Sequence, residues 1–167
     1  MEVRACNRED IPEVCAIYNY YITNTTITFE EEPLSEREMA TRVNTYQQRY
    51  PWLVCREQGA VVGYAYATKW KERAAYRHTA EATVYLKEGL AGRGFGKALY
   101  AVLLEELAKQ NCHAVLGCIA LPNESSVRLH ERFGFKKVAH FPEVGRKFGR
   151  WLDVGYWQLQ LPASPTR

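Results

Sequence analysis

The stretch that most constrains this chain runs from Thr83 to Lys97. Thr83-Val84-Tyr85-Leu86 has strand character. A short connection leads to Gly92-Arg93-Gly94-Phe95-Gly96-Lys97, and from there Phe95, Leu99, Val102, Leu103 and Leu107 recur with helical period. A strand feeding closely spaced glycines that open straight into a helix gathers several free backbone N–H groups at the positive end of the helix dipole. Glycines let a bulky anion approach the backbone, and Arg93 and Lys97 add charge, so phosphate or pyrophosphate is the natural guest. Taken alone, the same glycines would also serve as a tight connection. Two familiar phosphate patterns do not fit. A nucleoside-triphosphate loop needs Ser or Thr after its Lys, and Lys97 precedes Ala98; a dinucleotide loop follows the first strand, whereas this one follows the fourth strand-like run.

The elements around this turn predict a mixed α/β chain. Val3 to Ala5 is a short strand. Asn7 with Asp10 opens a helix whose apolar stripe is Ile11, Val14, Cys15, Tyr18, Tyr21 and Ile22. Ser35 and Glu38 form a capping box for a second helix to about Gln48. Strand-like runs follow at Trp52 to Arg56, Ala60 to Trp70 and Thr79 to Leu86, the first two joined by a hairpin at Gln58-Gly59. Ala114 to Ala120 reads as a strand buried on both faces. Asn123 to Phe133 is a short helix ended by Gly134, and Phe135 to Leu161 two strands around a glycine-containing loop. The fold class expected is α/β (α+β), one twisted mixed sheet of about seven strands with about four helices. A single domain is expected over residues 1–161, with residues 162–167 as a frayed tail.

Composition excludes several alternatives. The 167 residues suffice to bury roughly 70% of the unfolded surface without metal or disulfide help. Hydrophobic residues make up 47% and charged ones 25%, which argues against disorder. A net charge of +3, spread among acidic neighbours, provides no basic stripe for nucleic acid. No apolar run reaches the roughly 18 residues of a membrane span. Five cysteines without a C-x-x-C pattern read as small buried residues of a reduced compartment, the cytoplasm, and no metal site is expected.

Two motifs together resemble the acyl-CoA core of the GNAT acetyltransferase superfamily: the strand-turn-helix of Val84 to Leu107, and Asn123-Glu124-Ser125-Ser126-Val127-Arg128-Leu129-His130-Glu131-Arg132-Phe133-Gly134-Phe135. Ala91 departs from the family pattern, which commonly opens the turn with Arg or Gln; one side-chain contact is lost but the backbone cradle remains. Gly63-Tyr64-Ala65, Trp70-Lys71-x-Arg73-x-x-Tyr76, Glu81-x-x-Val84-Tyr85 and Lys147-Phe148-Gly149-x-Trp151-x-Asp153-Val154-Gly155 resemble the branch of phosphinothricin and methionine sulfone (or sulfoximine) acetyltransferases, over nearly the whole chain.

The resemblance implies acetyl-CoA as cosubstrate, bound between splayed fourth and fifth strands. Val84, Tyr85 and Leu86 would pair with the pantetheine arm, Gly92, Arg93, Gly94, Phe95, Gly96 and Lys97 would take the pyrophosphate, and Asn123 and Ser126 would hold the far side. Glu81 is the candidate base, directly or through water; its alternative is a strand-edge pair with Arg73 or Arg77. A free glutamate near pKa 4.3 is a weak base, so burial has to raise it. His130 stands where many family members carry a tyrosine that protonates the leaving thiolate; its alternative is a packing histidine. A Cys118–His130 nucleophile pair is disfavoured by the apolar run around Cys118. Phe29, Lys71, Glu72, Arg73, Tyr76, Ala82 and Thr83, with Glu81, would border a small amino-acid-like substrate. The loop at Lys147-Phe148-Gly149 is expected to close over the pocket, and the branch implies a homodimer. The competing readings are an enzyme for another amine (aminoglycoside, polyamine or protein N-terminus) and a silent acyl-CoA-binding module. The basic loop at 71–77 disfavours cationic substrates.

Overall fold

The computed structural model describes residues 1–162. Its elements are β1 (Glu2–Ala5), α1 (Ile11–Asn24), α2 (Glu36–Gln47), β2 (Trp52–Glu57), β3 (Ala60–Lys69), β4 (Thr79–Leu86), α3 (Phe95–Lys109), β5 (Ala114–Leu121), α4 (Glu124–Arg132), β6 (Lys136–Lys147) and β7 (Arg150–Gln160). The seven strands form one sheet in the order β1-β2-β3-β4-β5-β7-β6, antiparallel except for β4 beside β5. The expected element order and mixed sheet are therefore observed. Of the tail, positions 163–167 lie outside the described residues.

Local chemistry explains most boundaries. Gln58 and Gly59 both take positive φ, 50° and 82°, as a two-residue hairpin turn demands. Ser35 and Glu38 cap α2 reciprocally. Asn7 and Asp10 form the same kind of box, but around a single 3-10 turn (Arg8–Asp10), and α1 starts only at Ile11. The reason is that the Asp10 side chain turns back to accept the Asn7 N–H at 2.9 Å.

The two sheet faces are covered differently. On one, α1 and α2 pack Val14, Ile22, Met39 and Val43 against Trp52, Val54 and Tyr64. Parallel aromatic rings line this face, with Trp52 and Tyr66 only 4.0 Å apart between centroids. On the other, Leu99, Leu103 and Leu107 of α3 cover Ala65, Ala80, Ala82 and Val115. The expectation that β5 is buried on both faces needs correction at Cys118, which is exposed. Cys112 is likewise only half-buried, so three of the five thiols (Cys6, Cys15 and Cys55) are the small core residues expected. Among the described residues no helix is long and apolar enough to cross a membrane.

Asp10 ties the N-terminal segment to the sheet. It is fully buried, accepts from both terminal nitrogens of Arg4 at 2.7 and 2.9 Å, and from Arg56 at 2.8 Å. Burial alone would raise its carboxyl, but the two guanidinium groups and the Asn7 N–H outweigh it and hold the group below the ordinary carboxylate value. The stability this confers is fully present above the unfolded value near 3.9 and is lost as pH falls through the lower folded value. Asp10→Ala strands two arginines and should cost about 2–4 kcal/mol. Urea melts from pH 3 to 7 should show that loss at neutral pH and its shrinkage in acid.

Candidate active site

β4 and β5 are paired only over Thr79 to Glu81, opposite Ala114 to Leu116. Beyond that point β4 remains bonded to β3, and β5 to β7, while their facing edges have no partner strand. A cleft of about 530 Å³ opens there. Val84, Tyr85 and Leu86 line one wall, and Cys118, Ile119 and Ala120 the other. At its end lie Gly92, Gly94, Gly96 and Lys97, with Asn123 and Ser126 across from them. An extended chain with its own N–H and C=O groups fits between two such edges like an added strand.

Gly94 takes φ +87° as N-cap of α3, a conformation a side chain would strain. The first intrahelical bond runs from the Ala98 N–H to the Gly94 carbonyl at 3.0 Å, so the N–H groups of Phe95, Gly96 and Lys97 stand ahead of the helical ladder. A Cβ on Gly92 or Gly94 would meet nothing within 4 Å, leaving open space above this N-terminus. That is a cradle for a pyrophosphate. The side chains of two residues expected there do not line it. Phe95 is buried in the core beneath α3, and the Arg93 guanidinium sits over its ring, 5.3 Å from the centroid.

Side-chain alternation then sorts the chemistry. Paired residues point to the same face, so Glu81, Thr83 and Tyr85 share a face with Leu116 and Cys118. Gly117 belongs to the opposite face, where His130 packs so closely on it that a Cβ would overlap the imidazole. Glu81 and His130 therefore stand on opposite sides of the sheet, and no Cys118–His130 pair exists.

Glu81 is half-buried and makes no ion pair among the described residues. Desolvation raises its carboxyl above the ordinary value, and the positive charge of Lys71 partly offsets this. The alternative partners are occupied elsewhere or remote. Arg77 donates to the Ala74 carbonyl at 3.2 Å, and Arg73 leads into the short 3-10 turn Ala74–Tyr76 with its side chain in solvent.

His130 is buried, with its two nitrogens engaged. Nδ1 lies 2.7 Å from the Ser126 carbonyl, which can only accept, so Nδ1 carries the proton. Nε2 lies 2.8 Å from the Tyr100 hydroxyl and must accept from it. Burial lowers the imidazole's pKa, which keeps this neutral tautomer. His130 and Tyr100 both line the cleft, and with Nε2 accepting, the hydroxyl that His130 orients there is that of Tyr100.

The remaining expected residues divide by what they touch. Trp70 and Tyr76 meet edge to face at 5.1 Å, with the Lys71 ammonium 5.3 Å from the indole centroid. Glu72 is exposed and pairs with Lys69 at 2.8 Å. Thr83 lines the cleft, whereas the Ala82 side chain is buried toward α3 and offers only backbone. Phe29 lies over Gly145, whose lack of a Cβ makes room for the ring. The adjoining loop is pinned by Glu30, which takes both Arg42 nitrogens at 2.8 Å and contacts the Tyr18 hydroxyl. Lys147, expected over the pocket, is instead buried and donates to the Thr28 carbonyl at 2.8 Å. Sequence reasoning missed Tyr21, which lines the cleft and donates to the Leu86 carbonyl at 2.6 Å; its helical stripe marked it only as core. It also missed Tyr100, an apolar-face position of α3.

The acetyltransferase (GNAT) domain profile matches residues 3–155. The phosphinothricin N-acetyltransferase of Streptomyces viridochromogenes is 41% identical over 167 residues, covering 99% of this chain and 91% of that protein. The L-methionine sulfoximine/L-methionine sulfone acetyltransferase of Pseudomonas aeruginosa is 36% identical, covering 99% and 96%. Among solved structures, a phosphinothricin acetyltransferase from Sinorhizobium meliloti in complex with AcCoA superposes with a TM-score of 0.93 at 35% identity, covering 99% and 91%. This chain therefore belongs to the GNAT acetyltransferase family.

Proposed function

We propose that this protein moves the acetyl group of acetyl-CoA to the α-amino group of a small amino acid with an oxidised, tetrahedral head, such as phosphinothricin, methionine sulfoximine or methionine sulfone. The observation that carries the reading is a desolvated carboxylate, Glu81, on the last residue pair before the strands part, with the Lys71–Trp70–Tyr76 corner and Arg73 beyond it. The relatives named above act on these compounds.

In the proposed mechanism the amine attacks the thioester directly within a ternary complex. Glu81 takes the proton of the amine, directly or through water. The nitrogen bonds to the carbonyl carbon, whose oxygen gains charge opposite backbone N–H groups near Tyr85 on the free edge of β4. The carbon–sulfur bond then breaks, and the thiolate takes up one proton, so the proton count balances. His130 acts by position, holding the Tyr100 hydroxyl at the floor of the cleft. Arg73 and Lys71 hold the anionic oxygens of the substrate. Five free thiols support work in the reducing cytoplasm. A homodimer is supported by the β6–β7 hairpin, which exposes the large apolar side chains of Val138, Phe141, Val144, Phe148 and Trp151.

Four measurements test this reading. Glu81→Gln should lower kcat by about 10²-fold with acetyl-CoA affinity retained. The acid limb of kcat/KM in wild type should lie above the ordinary glutamate value, and Lys71→Met should move it to higher pH by removing the opposing charge; a limb unmoved by either change would assign the base elsewhere. Arg73→Ala should erase most of the preference for methionine sulfone and phosphinothricin over methionine while leaving CoA binding alone, and spermidine as best substrate would refute the substrate class. Trp151→Glu should turn a sedimenting dimer into a monomer; an unchanged wild-type monomer would remove the dimer.

A further inference from the structure

Across the gap from Glu81, the wall of the acceptor side is polar where an apolar surface would suffice. Cys118 on β5 lies directly opposite Tyr156 on β7 in register, and alternation directs both side chains to the Glu81 face. Cys118 is exposed to the cleft. The Tyr156 ring is held edge to face by Phe141 at 5.9 Å. Its hydroxyl has the Cys118 thiol and the Trp70 indole N–H as polar neighbours, and the charge of Glu81 acts on both Cys118 and Tyr156. Trp70, in turn, carries Tyr76 and Lys71 on its two sides. One neutral hydroxyl therefore links the β5–β7 wall to the β3–β4 connection, across the mouth through which the amine must approach Glu81.

We infer that Tyr156 is a specificity-determining residue: its hydroxyl, positioned by Trp70 and Cys118, donates to an oxygen of the acceptor and thereby orients the amine toward Glu81. A thiol sulfur is a weak acceptor, so the Tyr156 proton is available to any better one, and a carboxylate or an oxidised sulfur or phosphorus oxygen is better. An indole N–H can only donate, so Trp70 beside this hydroxyl favours a Tyr156 proton turned away from the indole and into the acceptor space. Lys71 and Arg73 supply charge at longer range; Tyr156 supplies direction. This inference rests on the acceptor reading above, and its test is chosen to fail separately from it.

The experiment compares wild type, Tyr156→Phe and Trp70→Phe on methionine sulfone, on methionine, which lacks the head oxygens, and on 3-(methylsulfonyl)propylamine, which lacks the carboxylate. Tyr156→Phe removes one oxygen and should lower kcat/KM for methionine sulfone about tenfold, mainly through KM, the usual worth of one neutral hydrogen bond. KM for acetyl-CoA and the melting temperature should stay unchanged. The loss should vanish for the one analogue that lacks the contacted oxygen, which tells the head from the carboxylate. Trp70→Phe, which keeps the flat ring, should reproduce part of the loss and should not add fully to it in the double variant. Equal losses on all three amines, or none, would overturn the inference, as would a loss that follows acetyl-CoA. If wild type prefers another amine, the same comparison is made on that amine and its analogues stripped of one oxygen. A wrong substrate class then leaves this test standing.

Discussion

The short contact between β4 and β5 is the constraint on which the rest depends. Three residue pairs hold the strands together, and then each follows its outer neighbour: β4 keeps seven pairs with β3, and β5 eight with β7. Both strands satisfy their outer edges, so the inner edges can part without loss of the sheet. Unpaired backbone groups inside a protein are costly unless something bonds them. Here they face a cleft, and a chain-like guest with amide groups of its own satisfies them. The same parting brings the glycine turn, the start of α3 and the cap of α4 to one opening.

The parting also decides the electrostatics. Glu81 sits on the last pair, half-buried, just before the strands part. Desolvation raises its carboxyl, and the single nearby ammonium, Lys71, limits the rise. The proposed role as base depends on that balance: without burial the carboxylate would be too weak, and with an arginine bonded to it, it would be weaker still. On the other face, His130 is neutral and spoken for by Ser126 and Tyr100. Opposite faces of one sheet thus separate the desolvated carboxylate from the buried imidazole.

The acceptor side is supported by hard packing. The stacked rings of Trp52, Tyr64 and Tyr66 fix β3, and Tyr85 joins them from β4, with centroids 5.6 Å from Tyr64. Glu30 and Lys147 anchor the loop that carries Phe29 from two directions. Interiors packed in this way transmit little slack, so residues placed on them keep their distances to Glu81.

Much of this was legible in the chain itself. Helical and strand periods set the element order, because burial of a stripe or an alternating face is a local pattern; the capping residues Asn7, Ser35 and Asn123 marked helix starts, and Gln58-Gly59 the hairpin. The glycines from 92 to 96 announced an anion site, since only a strand-turn-helix with so little side chain gathers free N–H groups. Face and partner were not legible. Phe95 and Arg93 belong to the motif, yet the helix phase turns the Phe95 ring into the core, and Arg93, just ahead of the helix, stacks over that ring. Ala82 and Glu81 are neighbours whose side chains go to opposite faces. Cys118 reads as core and is exposed only because β5 leaves β4. The chemistry of His130 depended on a tyrosine 30 positions away. Residue type and spacing thus determined the fold and the existence of an anion-binding turn, both written in local periodicity. Tertiary structure alone decided which side chains share a face, how far Glu81 is desolvated and which proton His130 holds, because those properties arise from neighbours distant in sequence.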